Sequence, residues 1–204
     1  MEHATNHITL RGQLLGAPAF SHENHGNRFF RFYLEVPRLS GTVDILPVIA
    51  QEPLLSGLPL SAGTTLTVRG QVRSHNVRTE ERRRLLIFVF AAGIQAEDGE
   101  SINDVFLDGI LCREPICRRT PLGREICDVM LAVKRGYSRA DYLPCILWGS
   151  TAHMGGSCAL RDRIQIRGRL QSRLYTKQTD QGAEERTAYE ISALTMTIPE
   201  CSDI

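Results

Sequence analysis

The stretch LTVRGQVRS (residues 66–74) returns in the second half of the chain as IQIRGRLQS (residues 164–172). Another stretch, NHITLRGQLLGAP (6–18), returns as NDVFLDGILCREP (103–115), with asparagine, glycine and proline at matching places. The two pairs keep almost the same separation, and the one-residue difference falls between apolar runs, where loops accept insertions. A fixed separation of this kind indicates two copies of one domain.

A third matching pair lies between these two. DILPVI (44–49) returns as DYLPCI (141–146), so the copies stay in register over most of their length. The segment that joins the copies, AEDGESI (96–102), is short, polar and acidic. We therefore predict two domains, residues 1–97 and residues 98–204, that sit close together with limited freedom.

Each copy shows the alternation of β-strands. Apolar Leu66 and Val68 alternate with polar Thr67 and Arg69, and this period of two is typical of a strand with one buried face. The second copy contains five such runs, at residues 103–113, 125–135, 141–148, 162–175 and 186–197. Within the second copy, only residues 149–160 have a sequence that permits a helix. The pattern predicts an all-β chain of two tandem five-stranded oligonucleotide-binding (OB) barrels, each with a short helix between strands 3 and 4. A β-sandwich, which needs about seven strands, ranks second.

Composition narrows the kind of protein. The chain has 204 residues, a hydrophobic fraction of 42% and a net charge of +1, which is typical of a globular protein rather than a polycation that coats nucleic acid. Any nucleic-acid site must therefore be local. No apolar run approaches the ~20 residues of a membrane span, and the N-terminal MEHATNHITLRG lacks the basic and apolar parts of a secretory signal. We expect no membrane association and a cytoplasmic location.

All the cysteines lie in the second copy, and none of them forms a CxxC pair. They are Cys112, Cys117, Cys127, Cys145, Cys158 and Cys201. Without an export signal we expect them to be reduced. A hairpin could bring Cys112, Cys117 and Cys127 together as metal ligands, whereas His22, His25 and His75 do not define a complete ligand set. We predict no metal and no other cofactor.

Three stretches of the second copy form a recognisable combination. They are the opening strand NDVFLDG (103–109), the third strand ADYLPCILWG (140–149) and the fourth-strand stretch GRLQSRLY (168–175). Together they resemble the bacterial single-stranded DNA-binding protein family, over about residues 103–198 and more faintly over 6–95. The resemblance implies sequence-independent binding of single-stranded DNA in replication, recombination or repair, with bases stacked on four aromatic positions.

By motif position those four aromatics are Tyr137, Tyr142, Trp148 and Tyr175. The residues alone support this, because Tyr142 and Trp148 are an even number of residues apart and leave the same face of a strand. Tyr175 shares parity with arginines of the fourth strand, which we expect to lie next to the third. The candidate cations are Lys134, Arg135, Arg139, Arg167, Arg169, Arg173 and Lys177. Rings would stack bases and cations would neutralise phosphates; alternatively, the tyrosines close the barrel and the arginines form a solvated face.

The first copy lacks this pattern. At the four equivalent positions it has Ser40, Ile45, Gln51 and approximately Val77, so we predict no stacking platform there. Its own aromatics, which we expect to be buried in the core or in an interface, are Phe29, Phe30, Phe32, Tyr33, Phe88 and Phe90. The first copy keeps positively charged side chains on one strand face, at Arg69 and Arg73. The hairpin RTEERRR (78–84) could reach a phosphate backbone or be a solvated turn. We predict a structural, oligomerisation or accessory role for this copy.

Catalysis is not predicted, because Asp128, Asp141 and Asp162 are scattered and Asp141, like Asp44, is expected to be a turn acid at a strand start. Two other functions stay open: a protein-interaction or replication-accessory module with weak nucleic-acid binding, and RNA binding, which stacking alone does not distinguish from DNA binding. The resemblance implies a homodimer that presents four barrels. The C-terminal TIPECSDI (197–204) is unlike the acidic tail with which the family recruits repair enzymes, so that recruitment is not expected.

Overall fold

The computed structural model describes residues 5–78, 83–179 and 182–199. Over these residues the chain forms twelve strands and one α-helix. The strands are β1 (Asn6–Leu14), β2 (Ala19–Asn24), β3 (Asn27–Pro37), β4 (Val43–Gln51), β5 (Thr65–Arg78), β6 (Arg83–Ala96), β7 (Ile102–Leu111), β8 (Ile116–Arg119), β9 (Glu125–Arg135), β10 (Arg139–Trp148), β11 (Arg163–Thr179) and β12 (Gly182–Thr197). The helix α1 spans Ser150–Gly156.

The strands form one continuous sheet that closes on itself twice. The first barrel runs β1-β3-β4-β6-β5 and the second runs β7-β9-β10-β12-β11, each returning to its first strand. In each barrel the third and fifth strands pair in parallel and the other pairs are antiparallel. This is the OB arrangement. The prediction of an all-β chain with two tandem five-stranded OB barrels is therefore confirmed.

Three local features differ from the prediction. The short strands β2 and β8 pair only with β3 and β9 and form a flap on each barrel. The β5–β6 and β11–β12 hairpins are longer than their apolar runs, because polar residues continue the pairing beyond the barrel. The helix expected in both copies is present as α1 in the second barrel. In the first barrel a single 3₁₀ turn, Glu52–Leu55, takes its place, since Pro53, Gly57 and Pro59 break a longer helix.

The two barrels meet edge to edge. Strand β1 pairs antiparallel with β7, from Asn6 opposite Leu107 to Arg11 opposite Ile102. The backbone hydrogen bonds of this ladder join both barrels into one sheet, so neither barrel has a free edge at this point. Residues 97–101 connect the end of β6 to the start of β7.

The alternation read from the sequence separates core from surface. In β5, Leu66, Val68 and Val72 are fully buried and Arg69 is exposed, whereas Thr67 on the outward face is also buried, beneath Arg11 of β1. Glycine interrupts this strand and its counterpart β11 at matching places, and a β-bulge lies at each, before Gly70 and before Gly168. A Cβ atom at Gly70 would collide with the carbonyl oxygen of Phe90. The repeated glycine therefore marks a close approach of two backbones.

The asparagine shared by both copies continues the sheet with its side chain. Asn6 Nδ2 donates to the carbonyl of Val72 at 2.7 Å, and Asn6 Oδ1 accepts from the Val72 N–H at 2.9 Å. Asn103 makes the same two bonds with Leu170, at 2.7 and 2.9 Å. The side-chain amide thus replaces one residue of strand pairing in each barrel, which gives a physical reason for the match between Asn6 and Asn103.

The expectation of six reduced cysteines is wrong at one pair. Cys117 on β8 lies directly opposite Cys127 on β9, and the two form a disulfide. The flap that brings them together was not expected from the sequence. Because these thiols bond to each other, they do not form a metal site with Cys112. Within the described residues no group of three or more His, Cys, Asp or Glu side chains is placed to hold a metal ion, and no helix is long and apolar enough to cross a membrane.

Candidate nucleic-acid interface

The outer face of β10 carries two of the four predicted aromatics. Leu143, Cys145 and Leu147 point into the barrel and are buried, so the residues between them leave the opposite side of the strand. Tyr142 is 44% exposed, and Trp148 is half-buried. The even spacing of Tyr142 and Trp148 predicts both rings on one side of the strand, and both rings lie on one side in the structure.

Trp148 is held in a defined position. Its indole Nε1 donates to Ser192 Oγ on the adjacent strand β12 at 3.1 Å, so the indole extends across the sheet. Thr151 at the start of α1 accepts from the Trp148 backbone N–H at 2.9 Å and donates to its carbonyl at 2.8 Å. A fixed ring presents its face without further loss of side-chain entropy when a ligand stacks on it.

The fourth strand contributes cations to the same barrel face, but it is not next to β10. Strand β12 lies between β10 and β11, which corrects the expected adjacency of Tyr142 and Tyr175. Arg169 is opposite Ser192 in the β11–β12 register, so Arg169 and Trp148 approach one serine from both sides. The Arg169 Nε is buried and has no hydrogen-bond partner among the described residues. A buried donor without a partner costs free energy, so hydrogen bonds within the described residues do not explain the position of Arg169.

Further along β11, a tyrosine and an arginine form a second group. Tyr175 is 37% exposed, and the Arg173 guanidinium lies 5.8 Å from its ring centroid. Arg173 also lies 3.4 Å from the buried Glu190, which offsets part of its charge. Lys177 is exposed nearer the end of the hairpin. At the other end of β11, Arg167 lies over Phe106 of β7, at 5.8 Å, and is separated from this group.

The β9–β10 turn holds the remaining predicted residues. Tyr137 is wholly exposed, and both Tyr137 and Ser138 have left-handed backbones, with φ of 61° and 55°. Non-glycine residues adopt this conformation at a cost in free energy. Lys134 and Arg139 are exposed at the base of the turn. A fully exposed ring on a left-handed turn is not explained by packing.

Arg135 has a structural partner. Its guanidinium lies 3.3 Å from Asp141 Oδ1, and that carboxylate also accepts from the Ser74 N–H of the first barrel at 2.8 Å. Asp44 makes the mirrored contact: it pairs with Arg38 at 2.6 Å and accepts from the Ser172 N–H at 2.7 Å. The expectation that Asp44 and Asp141 are turn acids is therefore wrong. Both are buried and join the two barrels.

The same contacts fix the backbone of the interface. Ser74 Oγ accepts from the Tyr142 N–H at 2.7 Å, and Ser172 Oγ accepts from the Ile45 N–H at 3.3 Å. The long hairpin of each barrel therefore reaches the third strand of the other. Tyr142 stands at a junction between the two barrels rather than on one isolated barrel.

The first barrel corrects one expectation about its aromatics. Ser40, Ile45, Gln51 and Val77 give it no aromatic at the four equivalent positions. However, its six aromatics are not all buried: Phe32 is buried and Phe30 packs partly against the core. The rings that leave the outer face and stay half-exposed are Phe29, Tyr33, Phe88 and Phe90. The alternation of β3 carried this signal, since Phe29 and Tyr33 are out of phase with the core residue Phe32. Most of the hairpin 78–84 lies outside the described residues.

Fold and site together define a class: a protein of two edge-joined OB barrels whose outer sheet face carries aromatic rings and guanidinium groups. The chain belongs to the single-strand binding protein family, whose family model matches residues 102–199. This match falls on the second barrel, where the sequence motifs placed the resemblance.

Individual relatives match a smaller part of the chain. It is 34% identical over 83 residues to Single-stranded DNA-binding protein B of Bacillus subtilis, covering 37% of this chain and 74% of that protein. It is 36% identical over 87 residues to Single-stranded DNA-binding protein 1 of Lactococcus lactis, covering 39% of this chain and 58% of that protein. The chain therefore spans only somewhat more than half of the length of the second relative.

A solved structure shares the fold over both barrels. The crystal structure of the single-stranded DNA binding protein from Thermus aquaticus matches with a TM-score of 0.78 over 98% of this chain and 95% of that chain, at 21% identity. A deletion variant of the same protein matches equally well, over all of this chain. The tandem arrangement is thus a known architecture.

Proposed function

We propose that this chain binds single-stranded DNA without sequence preference and without catalysis, on the outer face of its second barrel. The arrangement of Trp148 and Arg169 about Ser192 carries the proposal. It places a fixed indole and a guanidinium group about one serine on the outer side of the sheet, and the described residues offer no acceptor for the buried Arg169 Nε. From this group, Tyr142 on β10 and Tyr175 on β11 both lie towards the β11–β12 hairpin and extend the aromatic surface in that direction.

The chemistry of single-stranded DNA fits this surface. Every base has a π-face, so aromatic side chains bind any sequence and contribute about 1–3 kcal/mol per stacked base. Arginine and lysine neutralise phosphates and release condensed counterions, which makes the affinity fall as salt rises. With a net charge of only +1 for the whole chain, this effect must come from the local cluster.

The exposure of the rings supports a ligand rather than a packing role. Tyr137 is wholly exposed, so packing does not account for its ring, and Tyr142 keeps 44% of its surface exposed at the junction of the barrels. The cations nearby have few acidic partners in the described residues, apart from Glu190 beside Arg173 and Asp141 beside Arg135.

The experiment uses Trp148, the single tryptophan of the chain. Titration with dT oligomers is expected to quench its fluorescence, and the apparent Kd is expected to rise with salt. The double variant Tyr142→Ala/Tyr175→Ala is expected to bind about tenfold or more weakly. Arg173→Gln should weaken binding and reduce the salt dependence, whereas Arg124→Gln removes an equal charge from the exposed β8–β9 turn and should change neither.

Two contrary outcomes are informative. Unchanged fluorescence, together with no anisotropy change for a labelled oligomer, would exclude DNA binding and leave the protein-interaction module. Equal affinity for rU and dT oligomers would assign the site to single-stranded nucleic acid in general. We further propose that the chain forms a homodimer, which brings four OB barrels together.

A further inference from the structure

The first barrel has a row of rings and charges on its own outer face. We name this row, made of His22, Phe29, Phe90 and Arg73, the first-barrel row. The His22 ring stacks on Phe29 with centroids 4.8 Å apart and planes 6° apart. Phe29 and Phe90 are 6.0 Å apart, and the Arg73 guanidinium lies 5.0 Å from the Phe90 ring. The row thus crosses from β2 to β5 without a break between neighbours.

The row lies on the surface and is not part of the core. Phe32 and Val89, on the same strands but in the opposite phase, are buried at 2% and 0% exposure. Phe29 and Phe90 face away from them and are half-exposed, and His22 is exposed. The surface is therefore reachable by a flat ligand.

A comparison of the two barrels shows what the row replaces. Phe90 pairs with Ile49 in parallel register, and Ser192 pairs with Ile146 in the same way, so Phe90 and Ser192 are equivalent positions. Likewise, Gln51 is equivalent to Trp148, since each ends the third strand. In the second barrel Trp148 reaches across to Ser192. In the first barrel the ring is supplied by Phe90 itself and the third strand supplies only Gln51. The aromatic group has been exchanged between strands, while its place on the barrel is kept.

We propose that the first-barrel row is a second stacking site, which binds bases of the same DNA strand that the second barrel holds. This proposal rests on the proposed function of the second barrel. The charges favour DNA as the occupant over a protein: Arg73 caps the row, and the exposed Arg31 lies 5.9 Å over the neighbouring Tyr33 ring. Rings interleaved with guanidinium groups fit bases and phosphates, although Arg73 also lies 3.9 Å from Asp141, which reduces its free charge.

The first test compares oligomer lengths. An OB barrel covers about 4–16 nucleotides, so a strand of about 8 fills one barrel and a strand of about 30 spans both. The variant Phe29→Leu/Phe90→Leu keeps the apolar volume and removes both rings. It is expected to bind the long oligomer about tenfold more weakly, while quenching of Trp148 by the short oligomer stays at the wild-type value. Phe20→Leu, a 55% exposed ring on the other face of the flap, is the matched control and should change neither.

A second test needs no variant. The wild-type protein is irradiated with a long oligomer that contains 5-iodo-deoxyuridine, and cross-linked peptides are identified by mass spectrometry. Cross-links to Phe29 or Phe90, besides those to the second barrel, support the proposal. Cross-links to the second barrel alone, or an unchanged affinity of the double leucine variant for the long oligomer, would overturn it while leaving the proposed function intact. Unchanged Trp148 fluorescence of the wild type with every oligomer, together with no anisotropy change for a labelled oligomer, would overturn both this inference and the proposed function.

Discussion

The Oδ1 atom of Asp141 lies 2.8 Å from the backbone nitrogen of Ser74 and accepts its hydrogen bond. The two residues belong to different barrels, and their counterparts Asp44 and Ser172 make the same contact at 2.7 Å. Each barrel thus inserts a carboxylate into the base of the other's long hairpin. The pair of contacts fixes the orientation of the barrels about their shared β1–β7 edge.

Removing one of these carboxylates should destabilise the whole chain. Asp141→Ala leaves the Ser74 N–H and the partly buried Arg135 without their acceptor, so we expect the free energy of unfolding to fall by roughly 2–4 kcal/mol. Urea denaturation followed by Trp148 fluorescence measures the change. Asp128→Ala breaks the exposed pair with Arg118, 3.0 Å long, and should cost below about 1 kcal/mol. If both variants lost the same free energy of unfolding, the contact between the barrels would contribute no more stability than an exposed ion pair.

The left-handed residues of the β9–β10 turn should lower the stability of the fold, while the ring of Tyr137 contributes to DNA binding. Tyr137→Gly and Ser138→Gly each place glycine at a left-handed position, and each is expected to raise the free energy of unfolding by up to about 1 kcal/mol. Only Tyr137→Gly should also weaken binding of dT oligomers, because it removes the exposed ring. A Tyr137→Gly variant with wild-type affinity would remove Tyr137 from the site.

The disulfide predicts a thiol count. Cys117 and Cys127 are bonded to each other, so reduction should raise the number of reactive thiols in the unfolded protein by two. Reduction removes the covalent link that restrains the flap loop and should lower the free energy of unfolding by about 2 kcal/mol. Cys117→Ser should show the same loss and no further response to reductant. Six thiols before reduction would contradict the bond.

Asp108 should make stability depend on acid pH. Hydrogen bonds from Arg163, at 2.7 and 2.8 Å, lower the pKa of this carboxyl more than its burial raises it. Its stabilising contribution is therefore present above the ordinary aspartate pKa of about 3.9 and is lost as pH falls through the lower folded-state value. Asp108→Asn should lower the free energy of unfolding by about 1 kcal/mol at pH 7, and the difference from wild type should shrink towards pH 2. A difference that stays constant with pH would contradict this assignment.

The assembly state is a separate prediction. We expect sedimentation equilibrium to give twice the chain mass, as the resemblance to proteins with four barrels per particle implies. A monomeric mass at micromolar concentration would refute the homodimer and would leave DNA binding by one chain unaffected.

The sequence predicted the fold well because both copies follow the same alternation and keep the same glycines. It placed Tyr142 and Trp148 on one face correctly, since parity along a strand is a local property. It misplaced Tyr175 relative to Tyr142, because the fifth strand of an OB barrel inserts between the third and fourth, and chain order does not show this. Asp44 and Asp141 were misread for a similar reason: their partners come from the other barrel.

The outward aromatics of the first barrel were missed for a different reason. A position-by-position comparison of the copies matches Trp148 with Gln51, which is not aromatic. The useful question is whether any ring occupies that region of the sheet, which requires the register between β4 and β6. Only the three-dimensional pairing shows that Phe90 stands where Trp148 reaches.

Joining the two barrels in one chain changes what a substitution does at their contact. In a dimer of identical chains, a two-fold axis makes every substitution appear on both sides of the interface. Here Asp44 and Asp141, or Gln51 and Trp148, are encoded separately, so each can change while its twin stays as it is. Covalent fusion thereby relaxes symmetry as a constraint on mutation, and two sites of different composition can arise within one folded unit.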